Sequence, residues 1–181
     1  MEDTKVLYQE YLNGDKQAFD KIMDLYMENL IYFIQRYVGK LDVAQDLAQD
    51  VFVYILLNPN KYNSDYSLKT YLYTIGKSKA LNYIKKEKKM LFLNEEIIYD
   101  VDEDLEEIIF RNEKIQCLKS DINRLSKSYQ VAIYLADIEE LSYGEICQIL
   151  NKTIPQVKMV VHRARKKLKL ILEKEHKKYD K

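Results

Sequence analysis

The chain has 181 residues, and its 29 basic and 29 acidic side chains cancel to a net charge of zero. That length suits one large domain or two small ones, and neutrality argues against indiscriminate binding to polyanions. Only two cysteines occur, Cys117 and Cys147, without metal-ligand spacing, and the two histidines, His162 and His176, both lie by a basic tail. A disulfide framework, a metal centre and a hydrolytic site are therefore not expected.

Glycine is scarce at 4 and proline at 2, and alternating β-branched runs are missing, so the expected fold is all-α. We read two small helical domains joined by a flexible acidic linker: residues 1–89, 90–112 and 113–181. The N-terminus is acidic and lacks a signal-peptide pattern. No apolar run approaches the roughly 20 residues that span a bilayer. A cytoplasmic protein is expected.

In chain order, Gly14-Asp15 reads as a helix start with Asp15 as N-cap. An apolar stripe of Phe19, Ile22, Leu25, Tyr26, Leu30, Phe33 and Ile34 follows to about Tyr37, where Gly39-Lys40 breaks it. A second helix runs from about Asp42 to Leu57 and stops before Asn58-Pro59-Asn60. It is expected to bury Leu47, Val51, Phe52 and Ile55. Asp46, Gln49, Asp50 and Val53 share another face, at a spacing that suits docking on a basic partner helix or a solvated surface. Residues 58–66 form a loop carrying Tyr62 and Tyr66.

A third helix starts near Ser67 and continues to about Lys88. Thr74, Lys77, Ser78, Lys85 and Lys88 fall on one side, away from Leu72, Gly76 and Tyr83. Tyr62, Tyr71 and the lysines suit single-stranded DNA, with rings stacking on bases and cations following phosphates. Packing in the core is the competing reading for the tyrosines, and Tyr83 is assigned to the core. Residues 90–112 hold a dense acidic run, Glu95 to Glu107, with eight acids.

The last third carries the sharpest pattern. Ser142-Tyr143-Gly144-Glu145 is a capping box and Thr153-Ile154-Pro155-Gln156 repeats it, with Asn151-Lys152 as the turn between. The pair reads as a helix-turn-helix. Val157, Val160, Val161, Ala164 and Leu168 form the apolar stripe of the second helix. Pro155, Met159, His162 and Lys166 lie opposite, flanked by Lys158, Arg163, Arg165 and Lys167. Such a face reaches base edges near its N-terminus and phosphates further along; a solvated basic surface is the plainer alternative. A duplex reader, a single-strand platform and an acidic docking helix in one chain suit promoter recognition and opening.

These stretches resemble the extracytoplasmic-function group of bacterial sigma factors, within the sigma-70 family, over nearly the whole chain. Gly14-Asp15-x-x-Ala18-Phe19 resembles the family's N-terminal signature, and Asp46-Leu47-Ala48-Gln49-Asp50-Val51-Phe52 its acidic core motif. Tyr71-Leu72-Tyr73-Thr74-Ile75, then Ala80-Leu81-Asn82-Tyr83 and a basic run, resemble a third motif. Leu141-Ser142-Tyr143-x-Glu145-Ile146, with Val157-Lys158 and His162-Arg163-Ala164-Arg165-Lys166-Lys167-Leu168, resemble the fourth. All four stand in the family's order and at its distances.

The resemblance implies an alternative sigma factor, with no catalysis, metal or cofactor of its own. Its partners would be core RNA polymerase, through the clamp helices and flap, promoter DNA, and an anti-sigma factor, often membrane-anchored in this group. Asp46, Gln49 and Asp50 map onto clamp-docking positions. Tyr62 maps onto the loop that captures a flipped −10 base and Ser78 onto a position touching the same strand, with Tyr71, Thr74, Lys77 and Lys85 on the same platform. Gln156, Lys158, Met159, His162, Arg163 and Lys166 fall in the −35 reader. The linker would thread the RNA-exit region. Tyr71 stands where Trp is common, Ser78 where Asn is, Asn151 and Pro155 where Gly is, Met159 where Ser is, and Val160 where Arg is. The missing Arg removes a phosphate contact, while Met159 offers an apolar contact to a thymine methyl. A conventional helix-turn-helix regulator acting without polymerase is the runner-up. A plain helical interaction module is the third reading. An enzyme is not expected, because no nucleophile–base pair or phosphate-cradling loop is present.

Overall fold

Asp15 separates the first two helices of the chain, and its local chemistry shows why. The computed structural model describes the backbone of residues 4–93 and 121–179, and side chains over 4–89 and 121–173. Helix α1 spans Thr4–Leu12, and Gly14, at φ +104°, turns the chain out of it. The Asp15 carboxylate then accepts from the Gln17 N–H at 2.8 Å and the Ala18 N–H at 3.4 Å, capping α2, Lys16–Val38. Gly39 ends α2 in the left-handed region at φ +82°, its N–H bonded to the Gln35 carbonyl at 2.8 Å. A side chain there would be strained, which is why the stripe stops at glycine.

Helix α3 is Leu41–Leu57 and α4 is Leu68–Leu93, with a short 3₁₀ turn at Pro59–Lys61 between them. α4 runs past the Lys88 end expected from sequence. α2 packs against α1, α3 and α4. The shared core holds Leu7 and Tyr8 of α1, Phe19, Ile22, Leu30 and Phe33 of α2, Val51, Phe52 and Ile55 of α3, and Leu72 and Tyr73 of α4. Ala44 and Ala48 are also buried on α3, whereas Leu47, expected in the core, is only half-buried. The small residues let α3 approach α2, and the larger Leu47 sits at the edge. Gly76 does the same on α4: a Cβ there would lie 3.0 Å from Leu30 Cδ1.

The C-terminal unit is a second, separate assembly. α5, Lys127–Ile133, runs into a single π turn at Tyr134–Ile138; α6 is Tyr143–Leu150 and α7 is Ile154–Tyr179. Ile122, Leu125, Ile133, Ala164 and Ile171 form one core cluster, with Tyr129 and Leu168 packed against it. Val157 and Val161 of α7 and Ile146 and Ile149 of α6 are buried too. The π turn closes with Glu140 at φ +52° and the Leu141 N–H bonded to the Leu135 carbonyl at 3.0 Å.

Among the described residues all regular structure is helical. None of those helices is long and apolar enough to cross a membrane. The acidic run Glu95 to Glu107, Cys117 and the side chain of His176 lie outside the described residues.

Candidate nucleic-acid interface

Local hydrogen bonds set the geometry of the α6–α7 pair. Ser142 Oγ accepts from the Glu145 N–H at 3.3 Å while Glu145 Oε2 accepts from the Ser142 N–H at 3.0 Å, a complete capping box. Asn151 ends α6 at φ 53°, ψ 53°, a left-handed conformation that Asn tolerates better than most residues. The Lys152 N–H then bonds to the Cys147 carbonyl at 3.0 Å. At the start of α7, Gln156 Oε1 accepts from the Thr153 N–H at 3.0 Å, so Gln156 is anchored to its own cap.

From that start α7 buries Val157, Val161 and Ala164, with Val160 and Leu168 half-buried. Pro155, Gln156, Lys158, Met159, His162, Arg163 and Lys166 are all exposed. The expected reading face is thus brought together on one side of one helix. Met159, at 45% exposed, is a large apolar group in the middle of a cationic surface. Arg165 differs from its expected place on the flank. Its Nε donates to both Asp137 oxygens, at 3.1 and 3.2 Å, and its Nη2 donates to Asp137 Oδ1, a two-donor pair with the π turn. The hydrogen bond to Asp137 pushes the Arg165 pKa up. Arg165 therefore ties α7 to the element before α6.

In the N-terminal unit, Asp46, Gln49, Asp50 and Val53 stand together on the solvent side of α3. Leu56 and Leu57, at 45% and 76% exposed, extend that face with apolar area that sequence reading left out. The signal was present: Leu57 falls eleven residues after Asp46, three turns along the same side. Asp50 accepts from Lys79 Nζ at 3.3 Å. The carboxylate remains 61% exposed, so the pair contributes little and leaves Asp50 able to meet a partner.

The loop after α3 is more engaged than its sequence suggested. Asn58 Nδ2 donates to the Tyr54 carbonyl at 2.9 Å, and the Tyr62 hydroxyl donates to the Tyr66 carbonyl at 2.7 Å. Tyr62 is half-buried, its ring 4.8 Å from that of Tyr8 and 5.4 Å from that of Tyr71. The Tyr71 hydroxyl is buried without a hydrogen-bond partner, and burial pushes its pKa up. Ser67 Oγ accepts from the Thr70 N–H at 3.1 Å and starts α4. Along α4, Thr74, Ser78 and Lys85 are exposed and Lys77 is half-buried, on one side as expected. Tyr83 is not in the core. It is half-buried, and its hydroxyl donates to the exposed Glu87 at 2.7 Å, one turn on, which keeps the polar end of the ring at the surface. Partial burial and Glu87 push its pKa up to about 12.

Residues 22–90 match Sigma-70 region 2, and residues 115–168 match Sigma-70 region 4. The RNA polymerase sigma factor YlaC of Bacillus subtilis is 31% identical over 157 residues, covering 83% of this chain and 91% of that protein. The ECF RNA polymerase sigma factor SigW of the same bacterium is 29% identical over 167 residues, 86% of this chain and 89% of that one. Among solved structures, the sigma factor RpoE, crystallised with the anti-sigma factor NepR from Bartonella quintana, has a TM-score of 0.70 at 23% identity, covering 87% of this chain and 98% of that one. CnrH, in complex with the cytosolic domain of CnrY, has a TM-score of 0.63 at 20% identity, covering 94% and 97%. These two structures share the fold.

The chain belongs to the sigma-70 family of RNA polymerase sigma factors, in its extracytoplasmic-function group. It is a transcription-initiation factor.

Proposed function

We propose that this protein is a dissociable initiation subunit whose two helical units divide the labour of promoter use. The outer face of α3, with Asp46, Gln49 and Asp50 beside Val53, Leu56 and Leu57, docks on the polymerase clamp helices. Mixed acidic and apolar surface suits a basic partner helix that also carries apolar side chains. The loop at 58–66 and the exposed side of α4 hold the melted −10 strand, with Tyr62, Tyr71, Thr74, Lys77, Ser78 and Lys85 as its contacts. α7 enters the −35 major groove, with Gln156, Lys158, Met159 and His162 toward bases and Arg163 and Lys166 toward phosphates. The C-terminal unit also meets the polymerase flap.

The division falls at residues 1–89 and 113–181, with 90–112 threading the RNA-exit region between them. The protein works in the cytoplasm. An anti-sigma partner holds it inactive by masking the α3 face; the RpoE structure holds the anti-sigma factor NepR.

One observation carries the reading. A helix pair with a complete capping box on α6, and Gln156 closing onto the Thr153 N–H on α7, presents six exposed side chains of α7, apolar and cationic together, in a family member whose α3 offers a separate acidic face. Run-off transcription tests it. The protein is added to core RNA polymerase on a library of genomic promoter fragments that includes its own upstream region. Specific transcripts that need both components are expected. Fragment binding without polymerase, and no transcript, would favour a conventional regulator instead.

A further inference from the structure

α1 lies before the stretch that matches Sigma-70 region 2, which begins at residue 22. No role was assigned to it from sequence. In the structure it holds the 58–66 loop at three points. The Tyr8 hydroxyl donates to the Pro59 carbonyl at 2.8 Å. The Tyr8 ring meets the Tyr62 ring edge-on, with centroids 4.8 Å apart and planes at 71°. Lys5 Nζ donates to the Ser64 carbonyl at 2.8 Å.

The pivot is well fixed. Tyr8 is 2% exposed. Its ring contacts Tyr11 at 5.7 Å, Tyr11 contacts Phe19 at 4.8 Å, and Phe19 contacts Phe52 at 6.2 Å. A chain of rings thus runs from the loop, through α1, into the α2–α3 core. The loop's own bonds are short-range: a three-residue 3₁₀ turn, the Asp65 N–H to Asn63 Oδ1 at 3.0 Å, and Tyr62 to Tyr66. They fix its turns, while Asn58 Nδ2 to the Tyr54 carbonyl and Lys61 Nζ to the Tyr54 hydroxyl tie its start to α3, and α1 and Tyr71 pack against the part that carries Tyr62.

We propose that α1 is a positioning element for promoter opening: Tyr8, with Lys5, holds residues 58–66 in the shape that presents Tyr62 to the unpaired −10 base. The proposal rests on the reading of that loop given under Proposed function. Tyr8 and Lys5 act through the loop and touch no DNA themselves. The part-buried Tyr8 hydrogen bond, at ordinary net strength, corresponds to about a fivefold shift toward the held shape. The exposed Lys5 contact corresponds to about twofold.

The test uses the full chain with core RNA polymerase and a promoter taken from the run-off screen. Four versions of it differ only at the captured −10 base. Opening rate, polymerase affinity and melting temperature are measured for Tyr8→Phe, Lys5→Ala, Tyr62→Ala and the Tyr8→Phe, Tyr62→Ala double variant. With Tyr8→Phe, opening on the preferred base falls about fivefold while the other three bases change little, so discrimination narrows. Lys5→Ala moves the same way by about twofold. Polymerase affinity stays at the wild-type value, and Tyr8→Phe adds nothing once Tyr62 is gone.

If Tyr62→Ala opens the promoter as the wild type does, the reading of the loop fails and α1's role falls with it. If Tyr62→Ala is impaired while Tyr8→Phe and Lys5→Ala match the wild type, the role of α1 alone is overturned. Equal losses by Tyr8→Phe on all four bases, tracking a fall in melting temperature or polymerase affinity, overturn it too, because that is the behaviour of a merely structural residue.

Discussion

In the C-terminal unit the reading face of α7 is set by hydrogen bonds between residues three apart, Ser142 with Glu145 and Thr153 with Gln156. In the N-terminal unit the loop that carries Tyr62 is set by contacts across 51 and 59 residues, Tyr8 with Pro59 and Lys5 with Ser64. Both surfaces are proposed to meet DNA, yet one is specified by short-range chemistry and the other also by packing of distant helices. A duplex presents a regular groove, so a rigid capped helix suffices to read it. An unpaired base must be held against restacking, which asks for a pocket whose walls come from several elements.

The contrast can be broken or sharpened by substitution. The largest effect is expected from Asp46→Lys with Asp50→Lys. Reversing two exposed acids on α3 places like charges against a basic partner and should weaken polymerase association by about a hundredfold or more. The circular dichroism spectrum and melting temperature should hold, because both side chains are exposed. Unchanged co-purification with polymerase would remove the α3 face from the account. Next, Lys158→Ala should lower −35-dependent transcription by about five- to tenfold. Transcription from a template whose −35 sequence has been scrambled should be insensitive to it.

Ser142→Ala probes the short-range side of the comparison. Losing the capping box should cost about 1 kcal/mol of stability in the C-terminal unit, read by denaturant unfolding, and should leave polymerase docking intact. Gly76→Ala probes the packed side. Alanine gains about 1 kcal/mol of helix propensity, but its Cβ meets Leu30 Cδ1 at 3.0 Å, and Leu30 is fully buried. Overpacking of roughly 1–3 kcal/mol should win, so a lower melting temperature is expected; a rise would mean that Leu30 repacks without strain. The smallest effect is expected at alkaline pH. The Tyr83 pKa, raised in the folded state, means that its neutral form stabilises the fold below about pH 10. That contribution is lost as pH climbs toward about 12. In Tyr83→Phe the slope of stability against pH should be shallower over that window.

The same division explains what the sequence disclosed. Caps, turns and faces needed only local rules: Asp15 before α2, Gly39 after it, Asn151 between α6 and α7, and the exposed row of Asp46, Gln49, Asp50 and Val53. Periodicity assigned Val157, Val161 and Ala164 to the core because one helix face decides them. It misplaced Leu47 and Tyr83, both half-buried, since depth depends on what packs against a helix face, and periodicity is blind to that. It put Arg165 on the cationic flank because the partner, Asp137, lies 28 residues away in a π turn that no local pattern announces. Tyr8 went unnoticed for the same reason. Nothing near it in sequence shows that its hydroxyl reaches Pro59. The candidate DNA-reading residues of α7 were therefore legible as a set, while the supports of the Tyr62 loop were not.

We propose that one chain reads duplex at −35 and holds melted strand at −10, and does so as a polymerase subunit. Permanganate footprinting of a promoter from the run-off screen tests it most directly, with protein alone, core polymerase alone and both together. Reactive −10 thymines and a protected −35 region are expected only when both are present, with the thymine signal reduced in Tyr62→Ala and the −35 protection reduced in Lys158→Ala. Protection at −35 by the protein alone, with unreactive −10 thymines when polymerase is added, would contradict it.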